Sequence, residues 1–479
     1  MEVITKVAKP RIIFDAIYGF IHLNECEWEI IHSPFYQRLR WIRQLGFSSY
    51  VFHGAEHSRF GHSIGVMNNA HHILVSCQKN VSQVDLMSDK ISSNEAYFHK
   101  SVRLGALMHD LGTFPFSHTT EGAYIKYGEK FKTQRNQQKD RQDDHEHLGS
   151  FIIKNTDYEG GITFILKKYG FDPQVISDLV KGVDANFLAN QILHSEIDCD
   201  RMDYLLRDAH YTGLKYGSYD RDYLLHHFKV MNVAGHDVLT IKYNALHCVE
   251  DFLNSRFAWY SQVVRSARGA KYDALAEELT FYFLEKNIMW KYSDLLDMIA
   301  HDPVKFYTFN DMYFMNKVHE TYYSGLLDKN VKMKAIAKSL LFEISPKVVR
   351  CEEFKQRLLN HKDASLNEKI FKRAQDKVKL IQETIEKKGR PEDWIVSDIP
   401  LKHIEFAKSH QGIVKNTSSP NLLLERDPVK ISFGTGEVKL LADVESSTLS
   451  LLQNAFNFVP NVYCSPSAFE LLKAEGLTN

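Results

Sequence analysis

The segment Val102–Leu111 (VRLGALMHDL) restricts the fold more than any other stretch of this 479-residue chain. It reads as an apolar helix ending in two adjacent polar residues, His109 and Asp110, with Gly112 expected as its C-cap. An ionised carboxylate inside an apolar helix is costly unless it is paired or bound to a cation. The chain must therefore bring other polar groups to this helix end through an otherwise apolar interior. Two segments are suited to do so. Phe60, Ile64, Met67, His71, Leu74 and Cys77 recur every three or four positions, one side of a buried helix over 58–78 that carries His62. In Leu193–His210, the residues Leu193, Ile197, Asp200, Tyr204 and Asp208 follow at spacings of four, three, four and four, so on one continuous helix they share a face. The competing reading of that face is a solvated one neutralised by Arg201 and Arg207. Alone, His62 also reads as an ordinary buried, hydrogen-bonded histidine.

Together His62, His109, Asp110 and Asp200 form a two-histidine, two-aspartate set. Mixed imidazole and carboxylate ligands suit Zn, Fe, Mn or Ni, and spacing does not choose among them. Four protein ligands on an ion that prefers five or six partners leave room for water or a phosphate oxygen, which the ion can polarise. His118 and His145 follow at short range as imidazoles able to donate a proton to a leaving oxygen, or as surface histidines. Asp143 and Asp144 are placed to cap a helix that starts at His145. Arg59 and Arg201 can bind phosphate oxygens or simply neutralise the nearby carboxylates. The chain carries 23 His against 24 Gly, a surplus that suits metal ligation or proton transfer and equally suits compositional drift.

A formal net charge of −1 counts against coating of nucleic acid through bulk positive charge. Six cysteines lie scattered without CxxC pairs, which argues against a zinc ribbon or a dense disulfide framework. No apolar stretch reaches membrane-spanning length and the first ten residues lack a signal-peptide run, so a soluble, cytoplasmic protein is expected. The expected fold is mainly α, a helical core with a further helical lobe and a small α+β C-terminal module. The divisions expected are an N-terminal segment 1–60, the core 61–300, the lobe 301–390 and the module 391–479. Within them, Arg11–Phe14 and Ile17–Leu23 read as β-like, Ser33–Leu45 as a helix stopped by Gly46, and 60–300 as mostly helical. The polar run between Gly128 and Asp144 reads as a solvated loop or a flap beside His145. Leu366, Ile370, Ala374, Val378, Ile381 and Ile385 stripe a charged helix stopped at Gly389 and Pro391, and Gly434–Gly436 signals a hairpin.

The ordered pattern of His62, His109-Asp110 and Asp200 resembles the HD-domain metal-dependent phosphohydrolases. FYQRLRWIRQLG, YVFHGAEHSRFGHSIGV, GALMHDLGTFPFSH, HEHLGS and IDCDRMDYLLRDAHYTG together are similar to the deoxynucleoside triphosphate triphosphohydrolases of that superfamily. The resemblance is strong over about residues 10–270 and weaker over 420–466. It starts almost at the N-terminus, so the SAM domain that some vertebrate members carry is not expected. It implies an HD helical core and cleavage of a dNTP to the deoxynucleoside and inorganic tripolyphosphate.

Carried over residue by residue, the divalent metal (Mn, Fe, Zn, Ni or Mg) falls on His62, His109, Asp110 and Asp200, with Mg on the nucleotide phosphates as a further expectation. The catalytic imidazoles fall on His118 and His145. Arg59, Arg201 and Tyr204 match residues that hold phosphates. Gln44, Leu45, Tyr204 and Asp208 match positions around the sugar, and Arg256 and Tyr260 sit at substrate positions of bacterial type. Gln37 and Arg40 match contacts to an allosteric nucleotide, which implies a nucleotide activator and a homotetramer or homohexamer.

The sequence also departs from the pattern. Thr113 stands where a histidine is common, and His32 or Ser33 replaces the acidic residue that reads guanine in the activator, so the expectation is a different nucleotide activator or none. Depletion of dNTPs for pool control or phage defence is the implied purpose. The alternatives are an HD phosphodiesterase or nuclease acting on oligonucleotides or cyclic nucleotides, with Arg265, Arg268 and Lys271 as basic contacts, or a nucleotide-sensing scaffold.

Overall fold

Helix starts in this chain are written by capping residues, and the first of them already separates structure from expectation. Asn24 caps Glu25–His32 in a reciprocal capping box with Glu27. One residue after that helix, Ser33 caps again, its hydroxyl accepting from the Tyr36 amide with Pro34 in the first turn. The run expected to be one helix over Ser33–Leu45 is therefore broken. A single turn, Pro34–Gln37, passes into the 3₁₀ turn Arg38–Trp41, and Ile42 is extended. Arg38 explains the break: it is buried, and its guanidinium donates to the carbonyls of Phe309 (2.6 Å) and Leu111 (2.9 Å). These bonds tie the segment across the core at the expense of a regular helix. Burial lowers the Arg38 pKa to about 9.

The computed structural model describes residues 11–77, 93–131, 143–184, 186–399, 404–405, 422–452 and 455–479. Most of the polar run after Gly128 lies outside the described residues, as do residues 406–421. The fold is mainly α, with a helical core and small sheets. The β-like start is a hairpin, Arg11–Asp15 paired antiparallel with Gly19–Leu23. Arg59–Cys77 is the helix expected over 58–78, with Phe60, Ile64, Met67, His71 and Leu74 buried along it. It packs against Asn94–Met108 and Cys199–Thr212.

The face drawn from Leu193 to Asp208 is not continuous. Phe187–His194 ends first, and Asp198 starts a new helix by accepting the Arg201 amide at 2.7 Å. Leu193 and Ile197 are buried in the apolar core but belong to a different helix and its connection. Asp200, Tyr204 and Asp208 alone keep the i, i+4, i+8 relation.

Residues 60–300 are mostly helical, as expected, and carry a β-hairpin, Phe228–Val233 paired with His236–Lys242. Lys430–Ser432 joins it in parallel and pairs with Val438–Leu440 across the expected Gly434–Gly436 turn. A second apolar cluster takes residues from both sides of position 390, with Ala374, Val378, Ile381 and Ile385 of helix Ala364–Lys388 packing among residues 349–477. On that helix Leu366 is exposed, outside the stripe. None of the six cysteines is in a disulfide. No helix among the described residues is long and apolar enough to cross a membrane.

Gly112 is not a left-handed cap. Asn94–Met108 is closed by His109, and a Cβ at Gly112 would lie 2.2 Å from the His145 carbonyl oxygen and 2.3 Å from the Gly149 amide nitrogen. Glycine stands there so that the turn after Asp110 can touch helix His145–Asn155 backbone to backbone. Gly112→Ala is expected to cost about 2 kcal/mol or more of unfolding free energy, since neither backbone can yield as a side chain would. Chemical denaturation should show a lowered midpoint with an unchanged slope.

Candidate metal centre and substrate cavity

Three helices deliver the four expected ligands to one point. His62 sits on the first turn of Arg59–Cys77, His109 and Asp110 close Asn94–Met108, and Asp200 opens Cys199–Thr212. His62 Nε2 lies 3.6 Å from Asp110 Oδ2 and 3.0 Å from Asp200 Oδ1. His109 Nε2 lies 3.5 Å and 3.7 Å from the same two oxygens. The donor atoms of His62, His109 and Asp110 all fall within 4.8 Å of one another.

The opposite ring nitrogens are spoken for. His62 Nδ1 is 2.7 Å from Asp203 Oδ2, and His109 Nδ1 is 2.7 Å from the Ala106 carbonyl. These acceptors place each proton on Nδ1 and turn each Nε2 lone pair inward, the arrangement that orients metal-ligating imidazoles. Both Nε2 atoms are buried; that of His62 meets only Asp200 Oδ1, at 3.0 Å, and that of His109 has no hydrogen-bond partner. Two inward lone pairs beside two carboxylate oxygens fit a divalent cation with mixed nitrogen and oxygen preference.

The electrostatics agree. Burial works against a charged His62, yet Asp200 and Asp203 outweigh it and raise its pKa to about 10, so the point between the ligands draws a positive charge. Burial lowers the His109 pKa and keeps that ring neutral. Burial also opposes charge on Asp110, but Arg59 above all holds it well below the usual carboxylate range. The Arg59 guanidinium donates to Asp110 Oδ2 at 2.8 Å and to Ser117 Oγ at 2.9 Å. The Thr113 hydroxyl donates to Asp110 Oδ1 at 3.2 Å, so the residue standing in for a histidine supports the ligand carboxylate instead.

A second cluster lies beside this centre. Glu121 Oε2 is 2.6 Å from His118 Nδ1, and Glu121 Oε1 is 2.7 Å from His145 Nδ1. Burial opposes charge on His145, but Glu121 outweighs it and raises the His145 pKa to about 10. Asp144 does cap the His145 helix, accepting from the His147 amide. The chain reaches His118 through two successive left-handed residues, Phe116 (φ 53°) and Ser117 (φ 58°). Such strain persists only where the surroundings overdetermine it. Here the Phe116 amide donates to Asp311 Oδ1 (2.6 Å) and the Ser117 hydroxyl to the Arg43 carbonyl (2.6 Å).

A cavity of about 440 Å³ opens against both clusters. Arg59, His118 and Asp200 line it together with Gln44, Leu45, Tyr204, Asp208 and Tyr260. Gly46, in the left-handed region at φ 51°, lets Gln44 and Leu45 face it; a Cβ there would lie 2.7 Å from Asp273 Oδ1. Two expected substrate residues turn elsewhere. Arg201 pairs with Asp198 and donates to the Ser195 carbonyl, and Arg256 donates to Glu196. Gln37 and Arg40 sit together away from the cavity, Arg40 Nε donating to Gln37 Oε1 at 2.8 Å with its guanidinium over the Phe60 ring. A larger open groove of about 690 Å³ around Trp41 and Met312 contains none of the metal-centre residues.

Several cavity and support residues were not singled out from the sequence. Asp203, Glu121 and Asp311 act behind other side chains, and Trp259 lies beside Tyr204 with ring centroids 4.6 Å apart. Asp398 enters the cavity from a strand far along the chain and pairs with Arg265 at 2.8 Å. The i, i+3 and i, i+4 relations of Asp203 to Asp200 and Arg207 are the one signal that could have pointed to it.

This constellation is that of an HD domain, and residues 59–208 match the HD domain family. The chain is similar to the deoxynucleoside triphosphate triphosphohydrolases within it. It is 29% identical over 228 residues to the human deoxynucleoside triphosphate triphosphohydrolase SAMHD1, covering 43% of this chain and 34% of that protein. It is 33% identical over 265 residues to the uncharacterized protein YwfO of Bacillus subtilis, covering 54% and 52%. With the uncharacterized protein MJ1154 of Methanocaldococcus jannaschii the identity is 28%, covering 70% and 61%. The chain thus spans less than two thirds of the length of each of these relatives. A hypothetical protein from Aquifex aeolicus shares the fold, with a TM-score of 0.66 at 21% identity over 98% of this chain and 100% of that one.

Asp203→Asn is expected to weaken divalent-metal affinity by roughly 10- to 100-fold, the usual effect of losing the partner behind a ligating histidine. Calorimetric titration with Mn2+ measures it, and a variant that binds as tightly as the wild type would show that Asp203 does not set the His62 ring.

Proposed function

We propose that this HD-domain protein hydrolyses deoxynucleoside triphosphates to the deoxynucleoside and inorganic tripolyphosphate. The observation that carries the reading is the single cavity in which Arg59, His118 and Asp200 stand beside Gln44, Leu45, Tyr204 and Asp208, phosphate chemistry at one part and sugar-sized polar contacts at another. The residues present fit a divalent cation, with His62, His109, Asp110 and Asp200 as its holders, and a cation bound there supplies Lewis-acid polarisation of a phosphoryl oxygen. Arg59 offsets charge on the polyphosphate, which grows as the bond between the α-phosphorus and the 5′-oxygen breaks. Water supplies the new oxygen on phosphorus, and the departing 5′-oxygen takes a proton from His145 or His118. Glu121 prepares that step by keeping His145 protonated at neutral pH. A nucleotide activator at Gln37 and Arg40, and assembly into a homotetramer or homohexamer, complete the proposal by analogy with the named relative. Its purpose would be dNTP pool control or phage defence.

Chromatography of each dNTP incubated with the protein and Mn2+, with and without a second nucleotide, tests the reading. Tripolyphosphate is expected; release of phosphate or pyrophosphate instead overturns it. His109→Ala combined with Asp110→Ala is expected to abolish turnover, a loss of roughly 1,000-fold or more.

Glu121→Gln tests the proton donor. Raised from its ordinary 6.5 to about 10, His145 gives its ion pair full strength below 6.5, and that strength is lost as pH rises through about 10. Glu121, held well below its ordinary 4.5, gives its contribution above that value and loses it as pH falls through the depressed pKa. The pair is thus intact at neutral pH. Removing the carboxylate lowers the His145 pKa, so the alkaline limb of the kcat profile should move to lower pH. An unmoved limb would take proton donation away from this pair.

A further inference from the structure

We propose that Asp273 and Asp311 are positioning residues for the reaction: together they clamp the turn that carries His118 to the segment Arg43–Phe47, and so fix where that imidazole and Arg59 stand. The inference rests on the proposed dNTP reaction and names what holds its catalytic turn in register.

The two carboxylates come from the first turns of two helices, Ala270–Glu285 and Asp311–Tyr323. Each bridges the same pair of segments. Asp311 accepts the Phe116 amide through Oδ1 at 2.6 Å and the Arg43 amide through Oδ2 at 2.9 Å. Asp273 accepts the Thr119 hydroxyl at 2.7 Å and the Phe47 amide at 3.0 Å, both through Oδ1. The donors are thus the end residues of each segment, Arg43 and Phe47 on one, Phe116 and Thr119 on the other. Asn310 rather than Asp311 caps the second helix, which leaves the Asp311 carboxylate to the clamp.

Between the clamps the two segments touch. The Ser117 hydroxyl that donates to the Arg43 carbonyl also accepts from Arg59 Nε, so the clamped pair carries the arginine as well as the histidine. Gly46 leaves room for the Asp273 clamp, since a Cβ there would lie 2.6 Å from Thr119 Oγ1.

The clamp opposes a definite tendency. Phe116 and Ser117 are both left-handed, a conformation that non-glycine residues keep only under outside constraint. Released, the turn would relax and take His118 with it. Burial raises the pKa of Asp273 to about 6 and that of Asp311 to about 7, so holding both ionised is costly, and their hydrogen bonds to the two segments are what each carboxylate returns. The two clamps differ in one testable way. Asp311 uses both oxygens, so an amide in its place would set an N–H against a backbone N–H. Asp273 uses one oxygen, which an amide can still provide.

The test measures kcat, KM and Mn2+ affinity together with hydrogen exchange of the backbone amides. Asp311→Asn and Asp273→Ala should each lower kcat by roughly 10- to 100-fold, the scale of a small misplacement of reacting groups. KM and Mn2+ affinity by calorimetry should change far less, and exchange should rise at residues 43–47 and 116–119. Asp273→Asn should keep most of the wild-type kcat. A merely structural role would lower the unfolding midpoint but leave kcat per metal-binding molecule unchanged. Should Asp311→Asn or Asp273→Ala not fold by circular dichroism, Thr119→Val decides, since it removes a single hydroxyl from the clamp; kcat should fall roughly 10-fold. Unchanged exchange in the folded variants, unchanged kcat per metal-binding molecule, or Asp273→Asn as damaging as Asp273→Ala overturns the proposal. A wild type that hydrolyses no dNTP fails the proposed reaction itself, and the exchange comparison still shows whether the clamp holds the turn, so the two failures are distinct.

Discussion

Carboxylates buried where three helices meet are the constraint on which the rest of this structure depends. Asp110, Asp200 and Asp203 gather around His62; Asp200 is half-buried at the cavity wall, but Asp110 and Asp203 are buried and need compensation that water cannot supply there. Asp203 receives Arg207 Nε at 2.8 Å, and Arg207 reaches on to Asp15 at 3.0 Å. Asp15 in turn accepts the amides of Ile17 and Tyr18 at the hairpin turn. The N-terminal hairpin is thus wired to the metal centre by charge. Gly65 makes the wiring possible, since a Cβ there would lie 1.9 Å from Asp203 Oδ1. Removing Asp203 alone would leave the buried Arg207 with Asp15 but would strip His62 of its Nδ1 partner, so the network holds as a unit.

The second organising device is the strained turn through Phe116 and Ser117. It is paid for by Asp311, a carboxylate nearly 200 positions away, whose two oxygens take the amides of Phe116 and Arg43. Burial raises the Asp311 pKa to about 7, the mark of a group kept inside for its hydrogen bonds. Through it the Gln44–Leu45 segment, the His118 turn and the helix Asp311–Tyr323 are held in fixed relation. The stacked pair Phe47 and Phe116, 4.0 Å between centroids, fills the space behind.

How much of this the sequence discloses follows from the range of each interaction. The helix Arg59–Cys77, the β-like start at Arg11 and the turn at Gly434–Gly436 were legible, because periodicity and turn residues act within a few positions. The helix expected over Ser33–Leu45 was not, because Arg38 is satisfied by carbonyls of Leu111 and Phe309 that no local pattern reveals. The Leu193–Asp208 face misled for a different reason: its spacing fits a helix, but the Asp198 cap outcompetes continuation at that point. Arg201 and Arg256 were placed by resemblance at the substrate, whereas the neighbouring acids Asp198 and Glu196 take them here. Glu121 and Asp311 escaped notice because each acts behind another residue, and a partner's partner has no spacing rule.

Asp398 carries a consequence of its own. It belongs to the strand Ile395–Asp398, paired with Asn461–Cys464 in the part of the chain that holds the second apolar cluster, yet it lines the cavity and grips Arg265 just after the π-helical turn Tyr260–Val264. The candidate ligands His62, His109, Asp110 and Asp200 all come from before residue 201, while Asp398 adds to the cavity wall from beyond residue 390. The candidate ligand set is therefore built from the first part of the chain alone, whereas the cavity wall draws on both parts. Loosening the distal strands would leave the four candidate ligands in place while opening the cavity to solvent on one side, so the geometry that can hold an ion would outlast the shape that can select a guest.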